Sequence, residues 1–325
     1  MKITQQQKIF DFVSKYALVF ILLMLIAFFA FMSPFFLQFD NAINISRQVS
    51  MIGICAVGMT FVILTGGIDL STGSIMGVAA GITARLLLLD FHPVLATVIA
   101  IMSGIVFGLI NGFFINKIGL PPLITTLGTM TALRGVTMLL VDGKGVTIQN
   151  RAYAVIGQGY VLGSPIPVPV VIMVCAFILG YIVLEKTRLG RYVYGIGDNE
   201  EATRLSGVNV KRTRYAVYTF SGLLSAVAGV VAVSRLMSAQ PTTGDGYELQ
   251  IITAVVLGGV SIKGGEGRIA FVIIGVFIMG VLANGMIMMN IMPFYQLVVR
   301  GCVLLLAVSY DRLMDRLRAK MLSAK

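Results

Sequence analysis

The residue types that most often do chemistry are scarce in this chain of 325 residues, and they do not form a catalytic set. His92 is the only histidine, and its place beside Pro93 at a predicted turn favours a solvated side chain. No two acids within an apolar segment have the spacing that a metalloenzyme needs for its cation. The glycines at 143–145 lack the remainder of a phosphate-binding loop, and those at 195–197 lack the third glycine of a dinucleotide fingerprint. Catalysis and nucleotide binding are therefore not expected, and no metal site is predicted.

Ionisable residues within or beside long apolar segments are a second group of interest, because a charge at membrane depth is costly and usually functional. The candidates are Asp69, Arg85, Arg134, Glu248 and Arg300. Three of them, Arg85, Arg134 and Glu248, fall near predicted outer ends of helices. Snorkelling to the interface is a sufficient explanation for the two arginines. They do not form an obvious proton relay.

Asp69 belongs to a motif, residues 66–71, that predicts a helix boundary. Gly66 and Gly67 can end one helix, and Asp69 or Ser71 can cap the next one. We favour this capping role over a functional charge.

Neutral polar side chains are better candidates for contacting an uncharged solute that forms many hydrogen bonds. Three threonines lie within one turn of each other near the start of the fifth predicted span, and three amide residues lie in other spans. These candidates for a substrate pathway are Thr125, Thr126, Thr129, Asn111, Asn284 and Gln296, with Asn290 as a further one. Each could instead form a hydrogen bond between helices.

The elements that position these residues follow from composition. Apolar residues make up 57% of the chain, charged residues only 12%, and the mean hydropathy is +0.93. A single soluble core cannot bury so much apolar surface, and the apolar runs approach the roughly 20 residues that cross a bilayer as a helix. The sequence therefore predicts an all-α, polytopic membrane protein with a single transmembrane domain over 1–325. Its three cysteines lie in apolar runs and imply no disulfides.

Hydropathy predicts about ten spans and both termini on the cytoplasmic side. The predicted spans are 17–32, 48–65, 73–89, 93–115, 121–141, 166–185, 213–234, 249–262, 269–289 and 293–310. With this topology Lys and Arg concentrate in the inner segments, as in most membrane proteins, and this bias also explains the formal charge of +11 without a nucleic-acid partner. The eighth span is short and is interrupted by Gly258-Gly259, so counts of nine or eleven stay open.

The inner polar loop at 186–212 predicts one short helix between two spans. Asp198-Asn199 can cap its start, Glu200 and Glu201 suit the first turn, and Gly207 can end it. Apolar side chains, Leu205 among them, interrupt a polar surface that includes Arg204. This face could dock into a groove on a cytoplasmic partner, or the helix could rest on the membrane surface.

Four stretches together resemble the ribose-type permease subunits of bacterial ABC sugar importers. They are 57–71 (VGMTFVILTGGIDLS), 187–192 (TRLGRY), 199–207 (NEEATRLSG) and 239–259, which contains AQP, GYEL and GG. The likeness keeps a consistent order from about residue 45 to 310. Thr72 departs from it, since the relatives commonly have Val there.

The resemblance implies a multi-pass subunit of the bacterial inner membrane that translocates ribose or a related pentose or hexose. It implies three partners: a second permease copy or homologue, a periplasmic sugar-binding protein, and cytoplasmic ATPase subunits that carry the Mg-ATP. Residues 198–207 would be the coupling helix, with Asn199, Glu200, Glu201, Arg204, Leu205 and Gly207 at the ATPase contact. An ion-coupled secondary sugar transporter is the alternative, and a membrane-embedded enzyme is a third possibility.

Overall fold

A computed structural model describes the backbone of residues 5–161 and 163–323, and the side chains of 18–161 and 163–309. The basic side chains near the two termini, on which part of the predicted topology depends, lie outside the described residues. They are Lys2, Lys8, Lys15, Arg312, Arg316, Arg318, Lys320 and Lys325.

The described backbone is predominantly helical, which fits the predicted all-α membrane protein. Its helices are α1 (Gln5–Met32), α2 (Phe39–Leu64), α3 (Thr72–Leu88), α4 (Pro93–Phe113), α5 (Pro122–Leu140), α6 (Val155–Gln158), α7 (Val168–Lys186), α8 (Arg188–Asp198), α9 (Glu200–Leu205), α10 (Val210–Leu236), α11 (Tyr247–Leu257), α12 (Ile269–Met288) and α13 (Pro293–Ser323). A π-helical turn, Phe114–Ile118, extends α4, and a 3₁₀ turn, Arg151–Ala154, precedes α6.

Six of the described helices are long and apolar enough to cross a membrane. They are α2, α4 with its π-helical turn, α5, α7, α10 and α12. Four shorter apolar helical stretches accompany them: 18–32, 72–88, 247–257 and 293–309. A helix thus overlaps each of the ten predicted segments, and the eighth, predicted over 249–262, ends five residues earlier, at Leu257. With 11 residues, α11 rises only about 16 Å, and 258–262 form a turn.

The centre of the molecule is made by α2 and α10. Every residue of α2 from Val49 to Leu64 is buried, and α10 packs against α2, α3 and α4. Where α4 crosses α10, a Cβ atom on Gly104 or Gly108 would collide with the α10 backbone at Gly222 or Tyr218. The four-residue spacing of small residues therefore lets the two backbones touch, as is common in membranes.

Two non-helical segments penetrate the bundle. After α2 ends, residues 65–71 turn back inward, because Asp69 reaches Ser221 in the interior of α10. Residues 240–246 enter after β2 (Ser238–Ala239) and bring Gly244 against Gly73 and Gly77 of α3. Since α3 and α11 follow directly on these segments, both begin inside the bundle.

The loop after α5 is joined to the end of α10 by a short antiparallel pairing. β1 (Val146–Thr147) pairs with β2 in the register Val146 to Ala239 and Thr147 to Ser238. The buried hydroxyl of Ser234 adds a hydrogen bond to the Tyr153 carbonyl, at 2.5 Å. These contacts fix the polar segment 142–169 at one end of the bundle.

Candidate functional site

A buried polar network surrounds Asp69. One carboxylate oxygen, Oδ1, accepts hydrogen bonds from the Ser71 backbone N–H at 3.0 Å and from the Ser71 hydroxyl at 2.6 Å. The other oxygen, Oδ2, accepts a hydrogen bond from the Ser221 hydroxyl at 2.9 Å. Of the two residues expected to cap α3, Ser71 and not Asp69 lies at the N-cap position. The Ser71 side chain makes no capping bond, and Asp69 ties the turn before α3 to α10.

Three of the predicted pathway residues bond to this network or to its turn. Asn111 donates from Nδ2 to the Ser71 hydroxyl at 2.9 Å, and its Oδ1 accepts from the Thr129 hydroxyl at 2.7 Å. Thr126 donates to the Ile68 carbonyl at 3.1 Å. Side chains of α4 and α5 are thereby fastened to the 65–71 turn, and Thr125, also buried, bonds only its own helix, at the Pro121 carbonyl.

Glycines permit this turn. Gly66 has a φ of +75°, and its N–H closes α2 on the Ile63 carbonyl. A Cβ on Gly67 would lie 2.5 Å from the hydroxyl oxygen of Tyr218. Both positions therefore exclude a side chain. This explains the two glycines of the motif formed by Gly66, Gly67, Asp69 and Ser71.

The other predicted pathway residues lie elsewhere. Asn284 of α12 is buried and exchanges hydrogen bonds with Asn41 of α2. Gln296 donates to the Ile291 carbonyl and accepts a hydrogen bond from Arg300, whereas Asn290 is exposed in a turn. Asn284 and Gln296 therefore do not join the Asp69 network.

Arg134 and Glu248 form an ion pair inside the bundle. The guanidinium Nη2 lies 3.3 Å from Glu248 Oε2, and the two side chains are only 15% and 10% exposed. Arg134 also donates to the carbonyls of Thr243 and Gly244, at 3.1 and 2.7 Å, and pairs with Asp245 at 3.2 Å. Snorkelling is therefore the wrong explanation for Arg134. Of the two arginines assigned to helix ends, Arg85 is the one whose own side chain is exposed, and it pairs with Asp142 at 2.8 Å.

The polar loop after α7 contains two helices where the sequence predicted one. Thr187 caps α8, whose buried residues Gly190, Val193 and Ile196 face the bundle. Gly197 fits against the Leu64 carbonyl and the Gly265 backbone, where a Cβ would clash. The glycine pattern at 195–197 therefore serves helix packing. No group of His, Cys, Asp and Glu among the described residues could hold a metal ion.

Tyr194 fixes α8 to the turn before α12. Its hydroxyl donates to the Gly267 carbonyl at 3.0 Å. Burial, with a smaller contribution from the Glu185 carboxylate, raises the pKa of Tyr194 to about 12. The phenol stays protonated at physiological pH and keeps this hydrogen bond.

The second helix of this loop, α9, projects from the surface formed by α8 and the start of α10. Asn199 caps it by accepting a hydrogen bond from the Ala202 N–H at 2.9 Å, and Asp198 ends α8 instead. Gly207, with a φ of +85°, follows its end. No α9 residue is buried, and the Leu205 side chain is 77% exposed.

Two ion pairs stabilise the shape of α9. Glu200 forms a bidentate pair with Arg214 at 3.0 and 2.6 Å, which ties α9 to the start of α10. Glu201 pairs with Arg204 at 2.6 Å on the exposed surface. The result is a rigid projection with an apolar side chain on its surface, a geometry suited to docking in a partner's groove.

The chain is similar to known proteins over most of its length. The sequence model of a family described as "Branched-chain amino acid transport system / permease component" matches residues 41–308. The ribose import permease protein RbsC of Bacillus subtilis (strain 168) is 46% identical over 293 residues, which cover 90% of each chain. RbsC of Escherichia coli (strain K12) is 44% identical, over 89% of this chain and 91% of the relative.

Relatives of lower identity are named as permeases for other sugars. The L-arabinose transport system permease protein AraH of Escherichia coli (strain K12) is 41% identical, over 86% of this chain and 84% of the relative. The comparison with solved structures found no match.

Proposed function

This chain belongs to the family of transport-system permease components, and on that premise we propose that it carries ribose or a closely related monosaccharide through the membrane. It is a multi-pass subunit of the bacterial inner membrane in an ATP-binding-cassette sugar importer. It is not itself an enzyme, because a separate subunit hydrolyses ATP in such systems. The observation that supports ribose best is the 46% identity to a ribose permease over nine-tenths of both chains.

The polar groups inside the bundle support a neutral substrate. The Asp69 network consists mainly of hydroxyl and amide groups, and its one carboxylate already accepts three hydrogen bonds. We assign Asn111, Thr126 and Thr129 to positioning the 65–71 turn beside the pathway, whereas the Thr125 hydroxyl bonds to the Pro121 carbonyl. Asn284 and Gln296 hold helices at other places in the bundle.

We propose ten spans with both termini in the cytoplasm. Six long helices and four shorter apolar ones supply this number, and the shorter helices α3 and α11 each follow a segment that turns back into the bundle. The cluster of Lys and Arg at 186–214 then lies in the cytoplasm with α8 and α9.

We assign α9 to the contact with a cytoplasmic ATPase. Its exposed Leu205 is the apolar anchor, and Asn199, Glu200, Glu201, Arg204 and Gly207 maintain its shape. Binding of Mg-ATP by two ATPase subunits would push on α9 of this chain and of a second permease subunit. Transport results because the contacts of α9 differ between the inward-open and outward-open states.

Transport in vesicles tests the proposal against an ion-coupled carrier. The chain would be reconstituted with its ATPase and its sugar-binding protein, and ribose uptake would be followed with ATP and then with an uncoupler. Uptake should require ATP and persist when the proton gradient collapses. Uptake that stops when the proton gradient collapses and does not depend on ATP would refute the proposal.

A further inference from the structure

The turn 241–246 exposes a charged side chain that no sequence pattern singles out. Asp245 is 66% exposed, and Arg134 lies 3.2 Å from its Oδ1. Arg134 is itself fixed by Glu248 and by two backbone carbonyls of the turn. The Asp245 carboxylate is therefore held firmly in place and still faces outward.

The depth of this carboxylate follows from the packing of α3 against α5. The two helices run side by side, with Gly73 beside Arg134, Gly77 beside Thr137 and Gly81 beside Leu140. From Gly73 to Arg85, whose exposed pair with Asp142 marks the end of the bundle, α3 rises about 18 Å. Because the hydrocarbon layer is about 30 Å thick, Asp245 lies near its middle.

An exposed carboxylate at this depth does not face lipid. Charged side chains in membranes point into the protein or a watery cavity, and non-helical backbone is tolerated only in the same places. Thr242, in the same turn, is also exposed. The surface that carries Thr242 and Asp245 therefore borders a water-filled space or another protein surface, and not lipid.

The neighbouring surface of α5 leaves room for a solute. Thr131 is exposed there, and the glycines Gly128 and Gly135 have nothing within 4 Å of the place where a Cβ would stand. These small and hydroxyl-bearing residues stand among exposed apolar side chains such as Leu127 and Met138, and they leave space beside the carboxylate for a neutral molecule rich in hydroxyl groups. Carboxylates accept such hydrogen bonds strongly.

We propose that the turn 241–246 and the adjacent face of α5 line the sugar pathway, and that Asp245, positioned by Arg134, accepts hydrogen bonds from the sugar's hydroxyl groups halfway across the membrane. The substrate class rests on the proposed function. The pathway itself rests on the depth and exposure of Asp245.

Asp245→Asn tests the contact in the complete importer with ribose as the probe. Loss of a charge-assisted hydrogen bond should lower the uptake rate about tenfold. ATP hydrolysis stimulated by the loaded binding protein should stay near the wild-type rate. Asp142→Asn is the matched control, because Asp142 is also paired with an arginine and is 63% exposed, but lies at the end of the bundle. Equal uptake by the two variants would overturn the proposed contact.

Thiol labelling tests the pathway without any transport assay. Cys175 and Cys302, both exposed, would first be replaced by serine, while Cys55 is buried and can stay. A charged, water-soluble thiosulfonate should modify Asp245→Cys and Thr242→Cys. It should spare Leu306→Cys, on the apolar surface, where the native side chain is 69% exposed. If neither turn position reacts, the pathway does not run along this surface.

The two experiments also separate this inference from the proposed function. A wild-type complex that imports no monosaccharide would refute the sugar substrate, whatever the labelling result. Labelling of Thr242→Cys would support a watery pathway even if the Asp245 variants failed to assemble.

Discussion

Asn41 and Asn284 exchange two side-chain amide hydrogen bonds, at 3.0 and 2.9 Å, between α2 and α12. Both residues are buried, and the Asn41 amide also donates to the Phe36 carbonyl. In hydrocarbon surroundings a lost partner is not replaced by water, so this pair joins the two helices at one register.

Asn284→Ala should destabilise the protein by about 1–3 kcal/mol, because it removes both bonds and leaves the Asn41 amide partly unsatisfied. The measurement is the thermal unfolding midpoint in detergent. Gln149→Ala, at an exposed loop position, should leave the midpoint unchanged.

The double variant Asn41→Ala, Asn284→Ala completes the cycle. Pairs of this kind in membrane proteins couple by about 0.6 kcal/mol on average. A double variant whose loss equals the sum of the two single losses would contradict the pairing.

At the scale of elements, the contact between α4 and α10 depends on the absence of side chains. A Cβ on Gly222 would collide with the Gly104 carbonyl and crowd Gly108. Valine is tolerated in membrane helices in general, so any effect of valine here comes from the packing.

Gly222→Val should force α4 and α10 apart and cost about 1–3 kcal/mol or more, as overpacking does in other cores. The matched control is Gly301→Val on α13, where nothing lies within 4 Å of the built Cβ. The fraction of monodisperse protein extracted in mild detergent should fall for the first variant only. Equal yields would show that the two backbones can separate without loss.

At the scale of the whole molecule, the bundle performs no chemistry and needs mechanical work from a partner. The projection α9 is joined to α10 by the Glu200–Arg214 pair. Because α10 contacts α2, α3 and α4, a force applied to α9 would be passed to the centre of the bundle.

Leu205→Asp should lower ATPase association and ribose uptake at least about tenfold, since a buried, unpaired carboxylate costs several kcal/mol. Membrane insertion should be unaffected, because Leu205 makes no buried contact in this chain. Co-purification with the ATPase and uptake in vesicles are the measurements.

Ser206→Asp is the control, because it adds the same charge at the next residue, also exposed, and keeps Leu205. Normal coupling in the Leu205 variant would refute the docking role. A loss as large in the control would show that the effect of Leu205→Asp comes from charge rather than from the apolar anchor.

The sequence predicts much of this molecule where information is local. Apolar runs of the right length mark the helices, Asn199 and Gly207 mark the limits of α9, and the paired glycines at 66 and 67 mark the end of α2. These features depend on a few consecutive residues, and the ordered motifs from about 45 to 310 indicated the family, which the relatives confirmed.

The sequence by itself therefore determined the fold class, the family and the absence of a recognisable catalytic set. Only the tertiary structure decided which polar residues meet. Asp69 meets Ser221 across 152 positions, and Arg134 meets Glu248 across 114, in both cases through chain that turns back into the bundle. Hydropathy gives the length of an apolar segment but not the depth at which it begins. The depth of Arg134 and Asp245 became evident only when α3 and α5 were packed together.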